Sequence, residues 1–290
     1  MRTSIPEAIA RRIADQLNTT ISAFSFSGGG CINHGGRLTT SAGDFFLKWN
    51  HRAGLPQMFE CEARGLRLLR NAGAINVPQV HFTGEAGAFQ FILMEFIDTA
   101  PKSSSFWRDL AGQLATLHKT TAEKFGLDHD NYIGSLAQLN AVKANWIEFF
   151  IEKRLRIQLR LAMDGRKLEK ATGTKFEKLF QKLPSFLTTE LPSLLHGDLW
   201  SGNLIAAKNG DPCLIDPAVY FGHREAEIAF TMLFGGFPAE FYEAYDENFP
   251  IMPGFQERSG VYNLYPLLVH TNLFGGGYGS QVVSILDRFV

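Results

Sequence analysis

Asp198, Asn203 and Asp216 are the side chains whose types, order and spacing could do chemistry in this sequence. Asp198 lies in His196-Gly197-Asp198-Leu199-Trp200-Ser201-Gly202-Asn203, a His-x-Asp followed by four residues and an Asn. A carboxylate there can accept or orient the proton of an attacking hydroxyl, and a nearby amide oxygen can ligate a hard divalent cation. Two short apolar runs follow, joined by Lys208-Asn209-Gly210-Asp211, whose turn dipeptide predicts a hairpin. The hairpin returns the chain to Ile215-Asp216-Pro217 and so to a second carboxylate, placed to bind the metal beside the Asn203 amide. Taken alone, His-Gly-Asp reads as a turn, since Asp, Asn and Gly are all turn formers. Taken in order with Asn203 and Asp216, it supplies what phosphoryl transfer from ATP needs: an aimed acceptor and magnesium on the phosphates.

That chemistry also needs the phosphates held. Ser27 to Gly36 contains five glycines, with Gly28, Gly29 and Gly30 in a row. Glycines let backbone N–H groups approach phosphate closely. The run does not match G-x-G-x-x-G, and by itself it is an ordinary hairpin turn. Lys48, in the next strand, is a cation able to reach the α and β phosphates. Its partner on the following helix is Glu62 or Glu60, which face different ways, so periodicity does not choose between them. Met94-Glu95-Phe96 ends an apolar run, offering adenine backbone hydrogen bonds and an apolar slot while reading equally well as core.

The elements that must position these groups form two sets. Glu7, Arg11, Arg12 and Asp15 among small apolar residues predict an amphipathic first helix. Alternating segments over 21–26, 36–40 and 45–49, broken by glycine, predict antiparallel strands. Phe59, Ala63, Leu66 and Leu69 predict a helix over 59–70. Val77-Pro78 stops helical geometry, and 80–82 and 89–96 resume extended structure, the second apolar on both faces like a central strand. Ile97 to Pro101 reads as a linker. Beyond it helices dominate, over 106–118, 142–161, 175–183, 224–234 and 264–274. The expected fold is α+β with two lobes: a small β-rich lobe over 1–97 carrying one key helix, and a larger, mainly helical lobe over 98–290.

The bulk properties exclude several function classes. With 28 Lys and Arg against 29 Asp and Glu, the net charge is −1, which removes the electrostatic case for a nucleic-acid partner. A composition of 45% hydrophobic and 20% charged residues is that of a folded globular chain. Cys31, Cys61 and Cys213 are too few and scattered for a disulfide framework or a zinc site, which points to a reducing, cytoplasmic setting. The longest apolar runs fall far short of the roughly 20 residues that cross a bilayer, and the first residues lack a signal peptide's apolar stretch. No membrane partner is expected.

Ser27-Gly28-Gly29-Gly30-Cys31-Ile32, Phe59-x-x-Glu62-Ala63-x-Gly65-Leu66, Asp130-Asn131-Tyr132-Ile133-Gly134, the loop His196 to Asn203, Asp216-Pro217-Ala218, Gly222-His223-Arg224-Glu225-Ala226, Phe234 to Pro238 and Asn272 to Tyr278 resemble the fructosamine kinase family, relatives of aminoglycoside and choline kinases. The resemblance runs from about Ser27 to Tyr278 and implies a protein-kinase-like fold. It implies ATP-dependent phosphorylation of the 3-hydroxyl of ketoamines, on small amines or on glycated proteins, after which the adduct breaks down and the amine is freed. It places Asp198 as base, Asn203 and Asp216 on magnesium, and Lys48 with Glu62 on the ATP phosphates.

A sugar-amine needs an aromatic face and a carboxylate. Trp200 is the expected face, with His223, Arg224 and Glu225 as polar determinants, although Arg224 and Glu225 also read as a helix-start ion pair. For Cys31 the resemblance adds reversible oxidation, giving a monomer or a redox-dependent dimer. Two rival readings stand beside this one. A kinase of the same fold acting on an aminoglycoside, choline or an amino alcohol is disfavoured by Trp200 and Gly-His-Arg-Glu-Ala. A non-catalytic ATP-binding module would have lost a metal ligand or the base, and Asp198, Asn203, Asp216 and Lys48 are all present.

Overall fold

Ile9 and Ile13 fall one helical turn apart, and in the computed structural model, which describes residues 5–27 and 33–290, they bury the inner face of α1 (Glu7–Leu17). The packing divides into two compact units. One gathers the chain up to Phe106 together with Leu204–Asp216, and the other holds Trp107–Asn203 and Pro217–Val290.

The first unit is built on a five-stranded antiparallel sheet of β1 (Ile21–Phe26), β2 (His34–Thr40), β3 (Gly43–His51), β4 (Val80–Ala86) and β5 (Phe89–Glu95), in the order β1-β2-β3-β5-β4. Strand periodicity sends Phe45, Leu47 and Trp49 to one face, where they join Ile9, Ile13, Leu38, Phe91 and Leu93 in a core under α1. The opposite face of β3 carries Lys48. There lies α2 (Met58–Ala72), which buries Phe59, Ala63, Leu66 and Leu69 and ends at Gly73 in left-handed geometry (φ 66°). It starts one residue before the expected span and ends two after it.

The Asn-Gly turn does form a hairpin, pairing Leu204–Ala206 with Pro212–Leu214. Sequence places this hairpin in the larger lobe, yet it packs with the first unit, as backbone bonds from Leu214 to Asn76 (2.9 Å), Ala100 to Ala206 (3.2 Å) and Ser103 to Gly210 (3.1 Å) require.

The second unit is mainly helical. Its helices are α3 (Phe106–His118), α4 (Trp146–Phe149), α5 (Arg156–Asp164), α6 (Lys170–Phe186), α7 (Arg224–Thr231), α8 (Ala239–Asn248), α9 (Phe255–Phe274) and α10 (Tyr278–Phe289). The helix expected from residue 142 starts at Trp146 because the Asn145 side chain caps it, accepting from the Glu148 N–H at 3.1 Å. A π turn, Phe150–Leu155, joins α4 to α5. The helix expected to reach Phe234 stops at Thr231, and Phe234, Gly235 and Gly236 then take positive φ. The helix expected from Leu264 begins at Phe255, and α8 and α10 are additions to the sequence reading. Among the described residues no helix is long and apolar enough to cross a membrane.

Candidate active site

Lys48 Nζ lies 2.8 Å from Glu62 Oε1 and also pairs with Asp216 Oδ1, all within the first unit. The Lys48 and Glu62 side chains are each 10% exposed, whereas Asp216 is 44% exposed. Burial alone would lower the lysine's pKa, but the charges of Asp216 and Glu62 outweigh it and hold the ammonium above its ordinary value. Of the two candidate partners, Glu62 is the one that reaches Lys48; Glu60 accepts from Thr83 Oγ1 at 2.7 Å on β4. Asp216 has φ 58°, a left-handed conformation that Asp tolerates better than bulkier residues. Magnesium fits this carboxylate chemically, because it binds through one or two carboxylates plus substrate phosphates and keeps several waters. Among the described residues there is no group of three or more His, Cys, Asp or Glu set to hold a metal by protein ligands alone.

In the second unit Asn203 Nδ2 donates to the Asp198 carbonyl at 2.8 Å and to Asp198 Oδ2 at 2.9 Å. The nitrogen is thereby committed, leaving the amide oxygen, the end that can ligate a cation. The strand Ser193–Leu195, which leads into the loop, pairs with Tyr220–Gly222. Between them Gly197 takes φ 84°, and a Cβ there would stand 2.0 Å from the Ala218 carbonyl oxygen, so only glycine fits.

Asp198 lines a cavity of about 30 Å³ with Phe230, Tyr262, Tyr265 and His270. Tyr265 is set by its hydroxyl, which donates to Gln138 Oε1 at 2.7 Å. Trp200 is half-buried and meets Phe234 edge to face at 6.1 Å, and Phe234 lies 4.5 Å from His270. A Cβ on Gly202 would come within 2.3 Å of the Trp200 ring, so the glycine gives the indole its place. Phe230, Tyr262, Tyr265 and His270 are absent from the sequence-based site because their helices meet the loop only in the folded unit.

Three expected substrate contacts are turned inward instead. His223 is fully buried, caps α7 by accepting from the Glu225 N–H at 3.3 Å, and lies 3.1 Å from Thr188 Oγ1. Arg224 forms a bidentate pair with Glu190 (both 2.8 Å) and also bonds the Phe249 and Pro250 carbonyls. Glu225 is fully buried in a bidentate pair with Arg258 at 2.6 and 2.9 Å. Arg224 and Glu225 are thus each ion-paired, but with partners other than one another. Their donors and acceptors are spent on packing the helical unit.

Met94 is buried in β5, Glu95 is exposed and accepts from the Gln79 N–H at 3.0 Å, and the Arg37 guanidinium lies 4.7 Å over the Phe96 ring. Cys213 is buried, which pushes its thiol up to about 12, while Cys61 is half-buried. Gly28, Gly29, Gly30 and Cys31 lie outside the described residues.

A model of the fructosamine kinase family matches residues 5–290. A chloroplastic protein-ribulosamine 3-kinase of Arabidopsis thaliana is 42% identical over 277 residues, covering 94% of this chain and 84% of its own. A solved structure assigned as a fructosamine-3-kinase, from Haemophilus somnus, superposes with a TM-score of 0.88 at 29% identity, covering 98% of this chain and 97% of its own. An aminoglycoside phosphotransferase, APH(4)-Ia, solved in a ternary complex with AMP-PNP and hygromycin B, superposes with a TM-score of 0.62 at 13% identity, over 97% of this chain and 98% of its own, which shows a shared fold.

Proposed function

The chain belongs to the fructosamine kinase family, with its protein-kinase-like fold, and from that premise we propose that it is a cytoplasmic, ATP- and magnesium-dependent kinase of the 3-hydroxyl of ketoamines. The observation that carries the reading is the Asp198 carboxylate, held by Asn203 and set beside the aromatic side chains of Phe230, Tyr262 and Tyr265. A base so placed serves a small polyhydroxylated acceptor.

In the proposed reaction the acceptor oxygen forms a bond to the γ-phosphorus of ATP while the bond from that phosphorus to the β–γ bridging oxygen breaks. ADP leaves, and the hydroxyl proton passes to Asp198. Lys48, held by Glu62, binds the α and β phosphates. Asn203 through its amide oxygen and Asp216 through its carboxylate are the residues to hold magnesium, which when bound neutralises phosphate charge. Trp200 offers the sugar-amine an aromatic face, worth about 0.5–2 kcal/mol against a cationic nitrogen. Phosphorylation at this position leads to loss of the sugar and release of the amine, on small adducts and on glycated lysines.

The test is magnesium-dependent ATP consumption across the ribulosamine, fructosamine and erythrulosamine forms of lysine. Turnover on at least one of them is expected. A flat response on all three, with turnover on an aminoglycoside or choline, would transfer the chain to another acceptor class.

A further inference from the structure

Phe234 stands where a helix ordinarily ends on glycine. Past Thr231, the last residue of α7, the Met232 and Leu233 N–H groups donate to the Ala229 and Phe230 carbonyls at 3.1 and 3.0 Å, and the chain then turns left-handed at Phe234 (φ 55°). That conformation is strained for a bulky side chain and free of penalty for glycine. Glycines occupy the next two positions, Gly235 (φ 99°) and Gly236 (φ 70°), so the turn keeps a phenylalanine at a costly place beside them. Strain of this kind persists where the surroundings hold the residue, and it points to a use for the ring.

The surroundings are four rings from four separate elements. Phe234 meets Phe230 of α7 at 6.1 Å and 81°, Tyr278 of α10 at 6.0 Å and 89°, and His270 of α9 at 4.5 Å and 43°. The fourth is Trp200, two residues beyond Asp198, at 6.1 Å and 81°. Near-perpendicular pairs at these spacings are the favoured edge-to-face arrangement. Phe230, His270 and Tyr278 belong to helices and so tie the Phe234 ring to the body of the second unit. Trp200 lies in the loop, where its indole is confined by Gly202 and by Phe234.

We propose that Phe234 is the positioning residue for Trp200, the aromatic face offered to the acceptor. The left-handed turn carries its ring out from the end of α7, three helices hold that ring, and the ring fixes the indole. The inference rests on the reading of Trp200 as a substrate contact. An indole fixed before the acceptor arrives binds without an ordering cost, whereas an indole free to change rotamer must be ordered at each binding event. Phe234 therefore acts on the affinity for the ketoamine and leaves that for ATP, assigned to Lys48 and its neighbours, unchanged.

The experiment uses the full chain as wild type, Phe234→Gly, Trp200→Ala and the double variant. Glycine is the informative replacement, because it removes the ring and suits the left-handed backbone, so the turn itself is kept. The cost of ordering one freed side chain should raise the ketoamine KM of Phe234→Gly about 3- to 10-fold, with the ATP KM within about twofold. On the Trp200→Ala background the same change should add no more than about twofold, since a residue acting through the indole has nothing to act on once the indole is gone. An unchanged ketoamine KM in Phe234→Gly overturns the proposal. So does a full multiplicative rise in the double variant, the result expected of a ring that touches the acceptor itself or only supports the fold. Should Phe234→Gly fail to fold, Phe234→Leu, which fills the space without an aromatic ring, is read the same way.

A second readout is independent of turnover. Labelled with 5-fluorotryptophan, the chain carries four fluorine reporters, and the Trp200 line is the one lost in Trp200→Phe. In Phe234→Gly that line should move toward the position of a solvent-exposed indole, while the lines of Trp49 and Trp146, packed among other rings, stay in place. A Trp200 line that does not move overturns the proposal. A moved line in a protein whose wild type is inert on every ketoamine supports the positioning and counts against the functional reading alone.

Discussion

Replacing Lys48 with Met should separate the lysine's role in catalysis from its role in stability. The change leaves Glu62 a carboxylate in a site where its side chain is 10% exposed and its only described cation is gone. At the observed 2.8 Å the Coulomb attraction is about 6 kcal/mol for an effective dielectric constant of about 20, most of it offset by desolvation of both groups. What appears as lost stability on removing one partner is about 3–5 kcal/mol. Asp216 contributes little to this loss, because its half-exposed carboxylate is rehydrated. At about 2–4 °C per kcal/mol the midpoint of thermal unfolding should fall by about 6–20 °C at pH 7.

Lys48→Met/Glu62→Met, which replaces both charges with apolar groups, should recover most of that loss while remaining inactive. The sign with pH follows from the same charges. In the wild type the lysine's pKa is raised, so its contribution is present below the ordinary 10.5 and is lost only as pH rises through the raised value. In Lys48→Met the unpaired, buried Glu62 is pushed up by desolvation, so the deficit should shrink as pH falls toward 5. Circular-dichroism melts at pH 5 and pH 8 read all three proteins. A single variant melting within about 2 °C of wild type, or a double variant as labile as the single, would refute the reasoning.

Glu225→Ala should cost about 3–5 kcal/mol in urea unfolding by stranding buried Arg258, with KM for the ketoamine unchanged in the folded protein; a raised KM would return Glu225 to the substrate. Trp200→Ala should raise the ketoamine KM about tenfold and leave the ATP KM alone, and equal rises in both would remove its assigned role. Burial would raise the Glu227 carboxyl, but its bond from His118, the charges of His118 and His196 and the Gly197 N–H hold it below the ordinary 4.5. Its contribution is therefore present above that value and is lost as pH falls through the depressed one, so wild type and Glu227→Gln should converge in stability on acidification. A gap that widens below pH 4.5 would contradict it.

Local periodicity carries a good part of this fold. The alternation of Phe45, Leu47 and Trp49 against Lys48 places the lysine on the helix-facing side of β3, and Phe59, Ala63, Leu66 and Leu69 draw α2 nearly to its ends. The hairpin after Asn203 follows from its turn residues. Long-range pairings are a different matter. Periodicity left Glu60 and Glu62 open, and Thr83, from β4, separates them by taking Glu60. Glu225 reads as a substrate contact until Arg258, 33 residues on, is brought against it. Glu227 shows no signal at all in sequence, because what defines it, His118 lying 109 positions before it and the loop amides 30 and 31 before it, exists only after folding. The hairpin's packing with Asn76 and Ala100 is likewise invisible to a linear division of the chain at residue 97.

The position of the transferred phosphate tests the central claim most directly. Phosphorus and proton NMR of the product formed from ribulosyl- or fructosyl-lysine, by wild type and by Asp198→Asn, reads it in one experiment. A single phosphomonoester coupled to the proton on C3, formed by wild type and slowed by orders of magnitude in the variant with nucleotide binding nearly intact, is the predicted result. Phosphate on another hydroxyl, or undiminished turnover without the Asp198 carboxylate, would contradict it.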